Sequence, residues 1–382
     1  MPSPYQSEFF QALMDLGVVE FEVFFNEHLP SDRAALGWHT EKSGYRSTYL
    51  GRSKVLRAIS IAWNRRSSIH VVNSIWGVPA FLPVLLIQCA FGCRPFFVLS
   101  ESSNPQIARS GLRVILRNSL GKIIARCKRA RVLAIAPLAE KQYAALGFSR
   151  DRIHAFAYFR SSPPNAKTQV ASFGKRIIFV GQFVHRKGWD LLVEALETLW
   201  IEDQNIALTF VGSGINEPHI AAVALLNSRI SIKRAVNSDR ISSIIGEHDV
   251  LVLPSRFDGW GIVVNEAMAM GVPSIVSSQC GVACLIKSGY NGFVFESENV
   301  ADLRSKLRDF IQMRPLSRKA LRDACFREAG RVSAASAARY FMRCIHFAEG
   351  HESKFPRAPW DRRKLQDPIG ARSSQYEGII IS

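Results

Sequence analysis

Two carboxylates eight positions apart, Asp258 and Glu266, bracket the loop Asp258-Gly259-Trp260-Gly261-Ile262. Glycines at 259 and 261 let the backbone approach a ligand closely. A loop of this kind opening into a helix turns several backbone N–H groups toward an anion. Asp258 then stands near the helix start and Glu266 about one turn in, so the two acids can face one crevice. The bland alternative is an ordinary βαβ unit with a surface acid.

The flanking residues build that unit. Asp249 to Leu253 is an apolar run stopped at Pro254-Ser255, as expected of a buried parallel strand. Ile262 to Met270 suits a helix, Gly271-Val272-Pro273 ends it, and Ser274 to Val276 is a second strand. Upstream, the strand Arg176 to Val180 enters Gly181-Gln182-Phe183-Val184-His185-Arg186-Lys187-Gly188, followed by a helix Leu191 to Leu199. The Arg186-Lys187 pair, placed between strand and helix, can neutralise a diphosphate through charge-assisted hydrogen bonds. A solvated basic loop is the alternative, and His185 reads as a surface residue. The strand Ala207 to Val211 runs into Gly212-Ser213-Gly214, a turn able to approach a nucleotide, and Ile230 to Ile232 leads into Lys233-Arg234-Ala235-Val236.

These stretches resemble the retaining GT-B glycosyltransferases of family 4, the glycosyl transferases group 1. The likeness lies in Pro254-Ser255, Asp258-Gly259-Trp260-Gly261, Glu266-Ala267-Met268-Ala269, Gly271 and Pro273, with Gly181-Gln182 and Lys187-Gly188 before them. It implies an α/β protein with two Rossmann-like domains facing each other across a cleft. It also implies transfer of a sugar from a nucleotide-diphosphate-sugar co-substrate to an acceptor hydroxyl, with no cofactor and no metal. On this resemblance Lys187 is the phosphate clamp and Arg186 its neighbour. Glu266 takes the ribose hydroxyls, and Asp258 takes the donor-sugar hydroxyls in the place of the family's usual Glu. Gly259, Trp260, Gly261 and Ile262 offer backbone N–H groups to the diphosphate, and Gly212, Ala235 and Val236 lie along the nucleotide. Gln182 stands where Arg is frequent, so one cation of the clamp is absent or supplied by Arg186.

The first half carries fewer signals. A helix over Ser7 to Leu16 and strands over Phe21 to Phe25, Ser68 to Asn73, Arg94 to Ser100 and Val132 to Ala136 suggest a Rossmann-like domain. Relatives begin with a strand ahead of the Ser3-Pro4-Tyr5-Gln6 loop. That strand is missing or reduced here, which leaves the edge of the first sheet in doubt. By resemblance Tyr5 and Gln6 lie near donor and acceptor; helix capping by Ser3 or Ser7 is the alternative. Loops at the carboxyl ends of parallel strands line ligand crevices, so Trp76 and Glu101 are further acceptor-side candidates. The histidine common in the family near Ser100 or Glu101 is absent. Expected boundaries are 1–165 for an acceptor-binding domain, 166–348 for a donor-binding domain, and 349–382 for a loosely ordered tail rich in Pro, Arg and Ser. In the family the last helix crosses back to the first domain.

With 382 residues and 47% hydrophobic content the chain suits two domains with separate cores. The apolar stretch Val78 to Phe91 is broken by Pro79, Pro83 and Gln88 and too short to span a bilayer, and residues 1–15 lack a signal-peptide pattern. A cytoplasmic location is therefore expected. The cysteines read as buried thiols, since no nearby His completes a metal set. The net charge of +17 is concentrated in residues 1–165, with 21 Lys/Arg against 10 Asp/Glu, and implies an anionic partner. Between Arg109 and Arg131 there are eight basic residues and no acids. Leu112, Ile115, Leu116, Leu120, Ile123 and Ile124 supply apolar contact there, a pattern that suits an anionic membrane surface. No nucleic-acid motif accompanies the charge. The rival functions are a nucleotide-sugar epimerase of the same fold and a non-catalytic basic membrane-surface protein.

Overall fold

Short apolar strands alternate with helices, the pattern that builds parallel sheets covered by helical layers. The computed structural model describes residues 3–30, 44–75, 79–104, 112–161, 175–236, 238–359 and 376–381. The chain divides into two α/β units.

The first unit comprises Met1–Pro30, Thr40–Tyr158 and Ala334–Ser382. It opens with α1 (Pro4–Asp15), β1 (Val19–Phe25), β2 (Arg46–Tyr49), α2 (Lys54–Asn64) and β3 (Ile69–Asn73). Then come α3 (Leu82–Phe91), β4 (Phe96–Glu101), α4 (Leu112–Arg126), β5 (Ala130–Ile135), α5 (Pro137–Ala145) and β6 (Ile153–Phe156). Ala58 and Ala62 of α2, Val84 and Leu85 of α3, and Ile124 and Ala125 of α4 share one core. With them are Phe96 and Val98 of β4 and Val132 and Ala134 of β5. Alternate strand residues share a face, so the three helices form one layer.

The second unit, among the described residues, is Phe159–Ser333. It contains β7 (Lys175–Val180), α6 (Trp189–Glu202), β8 (Ile206–Gly212), α7 (Glu217–Leu226), β9 (Ile230–Arg234), α8 (Ser238–Gly246) and β10 (Val250–Leu253). These are followed by α9 (Val263–Ala269), β11 (Ser274–Ser277), β12 (Gly292–Phe295), α10 (Val300–Ile311) and α11 (Pro315–Arg331). The order β12-β11-β10-β7-β8-β9 is parallel throughout. All four residues of β10 are buried, which explains their unbroken apolar character. In α6 the buried Leu192, Ala195, Leu196 and Leu199 follow the helical period. The Asn299 side chain accepts from Asp302 N–H at 2.9 Å to cap α10.

Two expectations are corrected. The second unit ends at Ser333, because α12 (Ala334–Ala348) packs in the first unit. There the Tyr340 hydroxyl donates to Ala155 O at 2.8 Å, and Phe341 meets Phe9 edge-on at 5.6 Å. The tail is not loose over its whole length: Tyr376–Ile381 is a strand, β13. It lies in the middle of the first sheet, ordered β2-β1-β13-β3-β4-β5-β6. Ile379 and Ile380 pair with Phe21 and Glu22 on one side and with Ile69 and His70 on the other. The sheet is therefore continuous between β1 and β3. A segment from the far end of the chain occupies the position between β1 and β3, and it does so because Ile380 and Ile381 bury their apolar side chains there.

Candidate functional site

In the second sheet β7 and β10 are neighbours although two strands separate them in sequence, and the chain progresses outward from that pair in both directions. This is the switch point of a doubly wound sheet, where the loops leaving the carboxyl ends part and open a crevice. The two loops are Gly181–Gly188 and Pro254–Ile262.

They are locked to each other. Arg256 N–H donates to Arg186 O at 2.9 Å, and the Arg186 guanidinium donates to Phe257 O at 2.7 Å. At Gly188, φ is +68°, and an added Cβ would lie 2.0 Å from Pro254 O, so only glycine fits. This contact brings the predicted cation and the predicted acid together: Lys187 Nζ donates to Asp258 Oδ2 at 2.6 Å. Their side chains are 15% and 14% exposed. Partly removed from water, this charge-assisted bond holds both groups in fixed positions.

Asp258 is fixed further by its backbone, which donates to Gln279 O at 3.1 Å and accepts from Gly281 N–H at 3.0 Å. Gly261 has φ +103°, and a Cβ there would meet Leu253 Cδ2 at 2.6 Å, which explains the second glycine of the loop. The Trp260 ring is buried and donates to Asn265 Oδ1 at 2.9 Å, so this side chain belongs to the core. Glu266 is buried in the first turn of α9. Beside the pair, burial and the Asp258 charge push the Cys280 thiol well above its ordinary value, keeping it protonated.

The remaining donor-side candidates lie along the same carboxyl edge. Gly212 ends β8, where a Cβ would come within 1.9 Å of Gly181 O. Gln182 is half-buried in the β7 loop, and Ala235 and Val236 follow β9. Sequence reasoning missed Arg256. Its guanidinium grips Asp190 with two bonds of 2.8 and 2.7 Å, and also donates to His185 O at 2.8 Å and to Glu298 at 3.3 Å. Burial pushes the Asp190 carboxyl up, but the hydrogen bonds and charge of Arg256 outweigh it and leave the group below its ordinary value. Arg256 thus ties the β10 loop to the start of α6. Its partner stands 66 positions away, and no local signal marks the pair.

The acceptor-side candidates belong to the first unit. Tyr5 and Gln6 are half-buried in the first turn of α1, and the Ser3 side chain makes no capping bond there. Glu101 ends β4 and interacts with the buried Tyr158 hydroxyl; burial first, then the charge of and hydrogen bond with Glu101, hold that phenol well above its usual range. Trp76 lies outside the described residues. Arg109 does too, and of the apolar residues named in α4, Ile115, Leu116 and Ile123 face outward whereas Ile124 is in the core. Of the cysteines, all free, Cys280, Cys325 and Cys344 are buried, whereas Cys93 and Cys284 are exposed, against the expectation for those two.

Residues 165–325 match the family described as glycosyl transferases group 1. An uncharacterized glycosyltransferase of Methanocaldococcus jannaschii is 33% identical over 136 residues, 35% of this chain and 37% of that protein. The alpha-D-kanosaminyltransferase of Streptomyces kanamyceticus is 28% identical over 181 residues, 43% of this chain and 47% of that one. The chain thus spans less than half the length of these curated relatives. Anabaena HepE, solved in complex with UDP and glucose, is similar in fold with a TM-score of 0.65 at 12% identity, over 90% of this chain and 96% of that one. Residues 165–325 thus match the glycosyl transferases group 1 family, within a chain whose two parallel-sheet α/β units are similar to the GT-B fold.

Proposed function

We propose that this protein moves a sugar from a nucleotide-diphosphate-sugar donor to a hydroxyl of a glycan or lipid-linked acceptor, with retention of configuration and no metal assigned to the step. The observation that carries the proposal is the 2.6 Å meeting of Lys187 with Asp258 at the switch point of the second sheet. One group is matched to a diphosphate and the other to sugar hydroxyls, and the ion pair holds both aligned before the donor arrives.

The bond from the anomeric carbon to the leaving phosphate oxygen breaks, and the bond to the acceptor oxygen forms on the same face. The acceptor proton passes to the leaving phosphate oxygen. Negative charge grows on the diphosphate, where Lys187, Arg186 and the backbone N–H groups of Gly259 to Ile262 offset it. Glu266 accepts hydrogen bonds from the ribose hydroxyls, with Gln182, Gly212, Ala235 and Val236 along the nucleotide. Asp258 holds donor-sugar hydroxyls and stabilises the developing oxocarbenium charge. Tyr5, Gln6, Trp76 and Glu101 are proposed for the acceptor side. The stretch Arg109–Arg131 would rest on the anionic cytoplasmic face of a membrane, the setting of surface-polysaccharide synthesis.

A panel of UDP-, GDP- and ADP-sugars, assayed for release of the free diphosphate with acceptor present, tests the proposal. Lys187→Ala is expected to lower kcat/KM by roughly 10²–10³-fold, and Glu266→Ala to act mainly through KM for the donor. Full activity in both variants, or a nucleotide diphosphate that leaves Tm unchanged, overturns the proposal.

A further inference from the structure

The layer α2–α3–α4 of the first unit carries apolar side chains on the wrong side for a core. In α2, Val55, Leu56, Ile59 and Trp63 form one stripe at helical spacing and all point to solvent, Leu56 being 71% exposed. The buried face of that helix holds only Ala58 and Ala62. Helix α3 contains no Lys, Arg, His, Asp or Glu, and Leu86 and Phe91 on it are exposed. Trp63 and Phe91 meet edge-on at 5.2 Å, joining the two stripes. Helix α4 adds Ile115, Leu116 and Ile123, at 63%, 60% and 54% exposure. Single exposed apolar residues are ordinary, but a set joined between two packed helices and repeated on a third helix of the same layer marks a contact surface.

Charge selects the partner. Residues 51–139 contain fourteen Lys/Arg and one acidic residue, Glu101. Arg57 and Arg66 are exposed on and just after α2, where Arg65 is paired with Glu22 at 2.8 Å, and Lys122 and Arg126 stand among the exposed apolar residues of α4. The Arg66 guanidinium lies 5.7 Å from the Trp63 ring centre. A second copy docking isologously would set two acid-poor basic faces against each other. A nucleic acid would meet the cations but leave Leu56, Ile59, Leu86 and Leu116 without a use, since bases stack on aromatic rings rather than aliphatic chains.

We infer that the outward face of α2 and α3, together with α4, seats in the headgroup region of an anionic phospholipid bilayer, with Trp63 at the interface and the basic side chains on the lipid phosphates. This rests on the proposed membrane contact of the 109–131 stretch and widens it to a surface in which α2 supplies the apolar anchor.

The test is flotation of the full chain with vesicles of phosphatidylglycerol and phosphatidylcholine, beside pure phosphatidylcholine, at low and high salt. Binding to the anionic vesicles and not the neutral ones is expected, weakening with salt. The double variant Leu56→Glu/Trp63→Ser should bind at least about tenfold more weakly. These positions are solvent-facing, so an unchanged Tm is expected, and Trp63→Phe with brominated lipid gives a second readout through the loss of tryptophan quenching. Loss of binding on Lys122→Glu/Arg126→Glu with no effect of the α2 variants would keep the basic-helix contact and overturn the wider surface. No binding by the unaltered chain overturns both. A dimer in light scattering that Leu56→Glu converts to monomer would give the face to a second copy and overturn the inference.

Discussion

The two sheets solve one architectural problem in different ways. In the second, every strand comes from one continuous stretch, and the order β12-β11-β10-β7-β8-β9 grows outward from its centre. In the first, the centre between β1 and β3 is filled by β13, which follows those strands by some three hundred residues. The lesson is that a central position asks for buried, pairable apolar residues on both flanks and is indifferent to where in the chain they originate. The order of synthesis differs all the same. Unit two can complete its sheet from local segments, whereas unit one closes only when residues 376–381 arrive, at the cost of a long loop closure.

A charge placed on β13 breaks that contrast most severely. Ile380 is 2% exposed in the centre of the sheet, and Ile380→Asp is expected to destabilise the first unit by on the order of 4 kcal/mol. Urea unfolding followed with and without a nucleotide diphosphate should show the change in one transition only; an equal shift of both transitions would remove the distinction between the units.

Gly188→Ala strikes the second unit where its two loops touch. With φ +68° and a carbonyl 2.0 Å from the new Cβ, roughly 3 kcal/mol of strain and overpacking is expected. Donor affinity should fall along with Tm, because the contact sets the Lys187–Asp258 distance. Unchanged donor affinity would detach that contact from the site.

Acid sharpens the comparison further. Burial lowers His70 of β3 to about 4 and His154 of β6 to about 3, from 6.5. Both belong to the first sheet, and folding therefore favours their neutral forms. The stabilisation is present above pH 6.5 and is lost as pH falls toward the folded values, because the unfolded chain binds protons first. By pH 5 each contributes a loss on the order of 2 kcal/mol. Unit two also buries His248, whose value burial lowers without so large a shift. The first unit should thus melt earlier on acidification, as differential scanning calorimetry between pH 7 and 5 would register; the opposite order contradicts this.

The smallest effect is expected of Arg256→Lys. A lysine keeps the charge but loses the forked grip on Asp190. About 1–2 kcal/mol of stability should go, with a modest rise in donor KM and little change in kcat. A collapse of kcat alone would place Arg256 in the chemistry instead of the scaffold.

How much of this was legible beforehand varied with the range of the interactions. The placement of Lys187 and Asp258 in loops between strand and helix, and of Glu266 at the start of a helix, was legible, since such a loop is a local event with glycines and prolines to mark it. So were β7 to β11 of the second unit with α6 and α9, whereas α7 (Glu217–Leu226) and β12 (Gly292–Phe295) were not. Strand β2 and helix α2 were not, because Arg46–Tyr49 is half polar and the α2 stripe faces outward. Strand β13 is hidden in the sequence because the Pro-, Arg- and Ser-rich residues before it outweigh six residues of strand.

The amino-acid sequence alone determined the alternating elements, the glycine loop between two acids, the cationic loop and the excess of positive charge, all of which depend on neighbours along the chain. Tertiary structure decided that β7 lies beside β10, so that Lys187 reaches Asp258, and that β13 fills the first sheet. Both are pairings between distant segments, settled by which edges remain open and which apolar side chains can be buried together, and no local pattern encodes them.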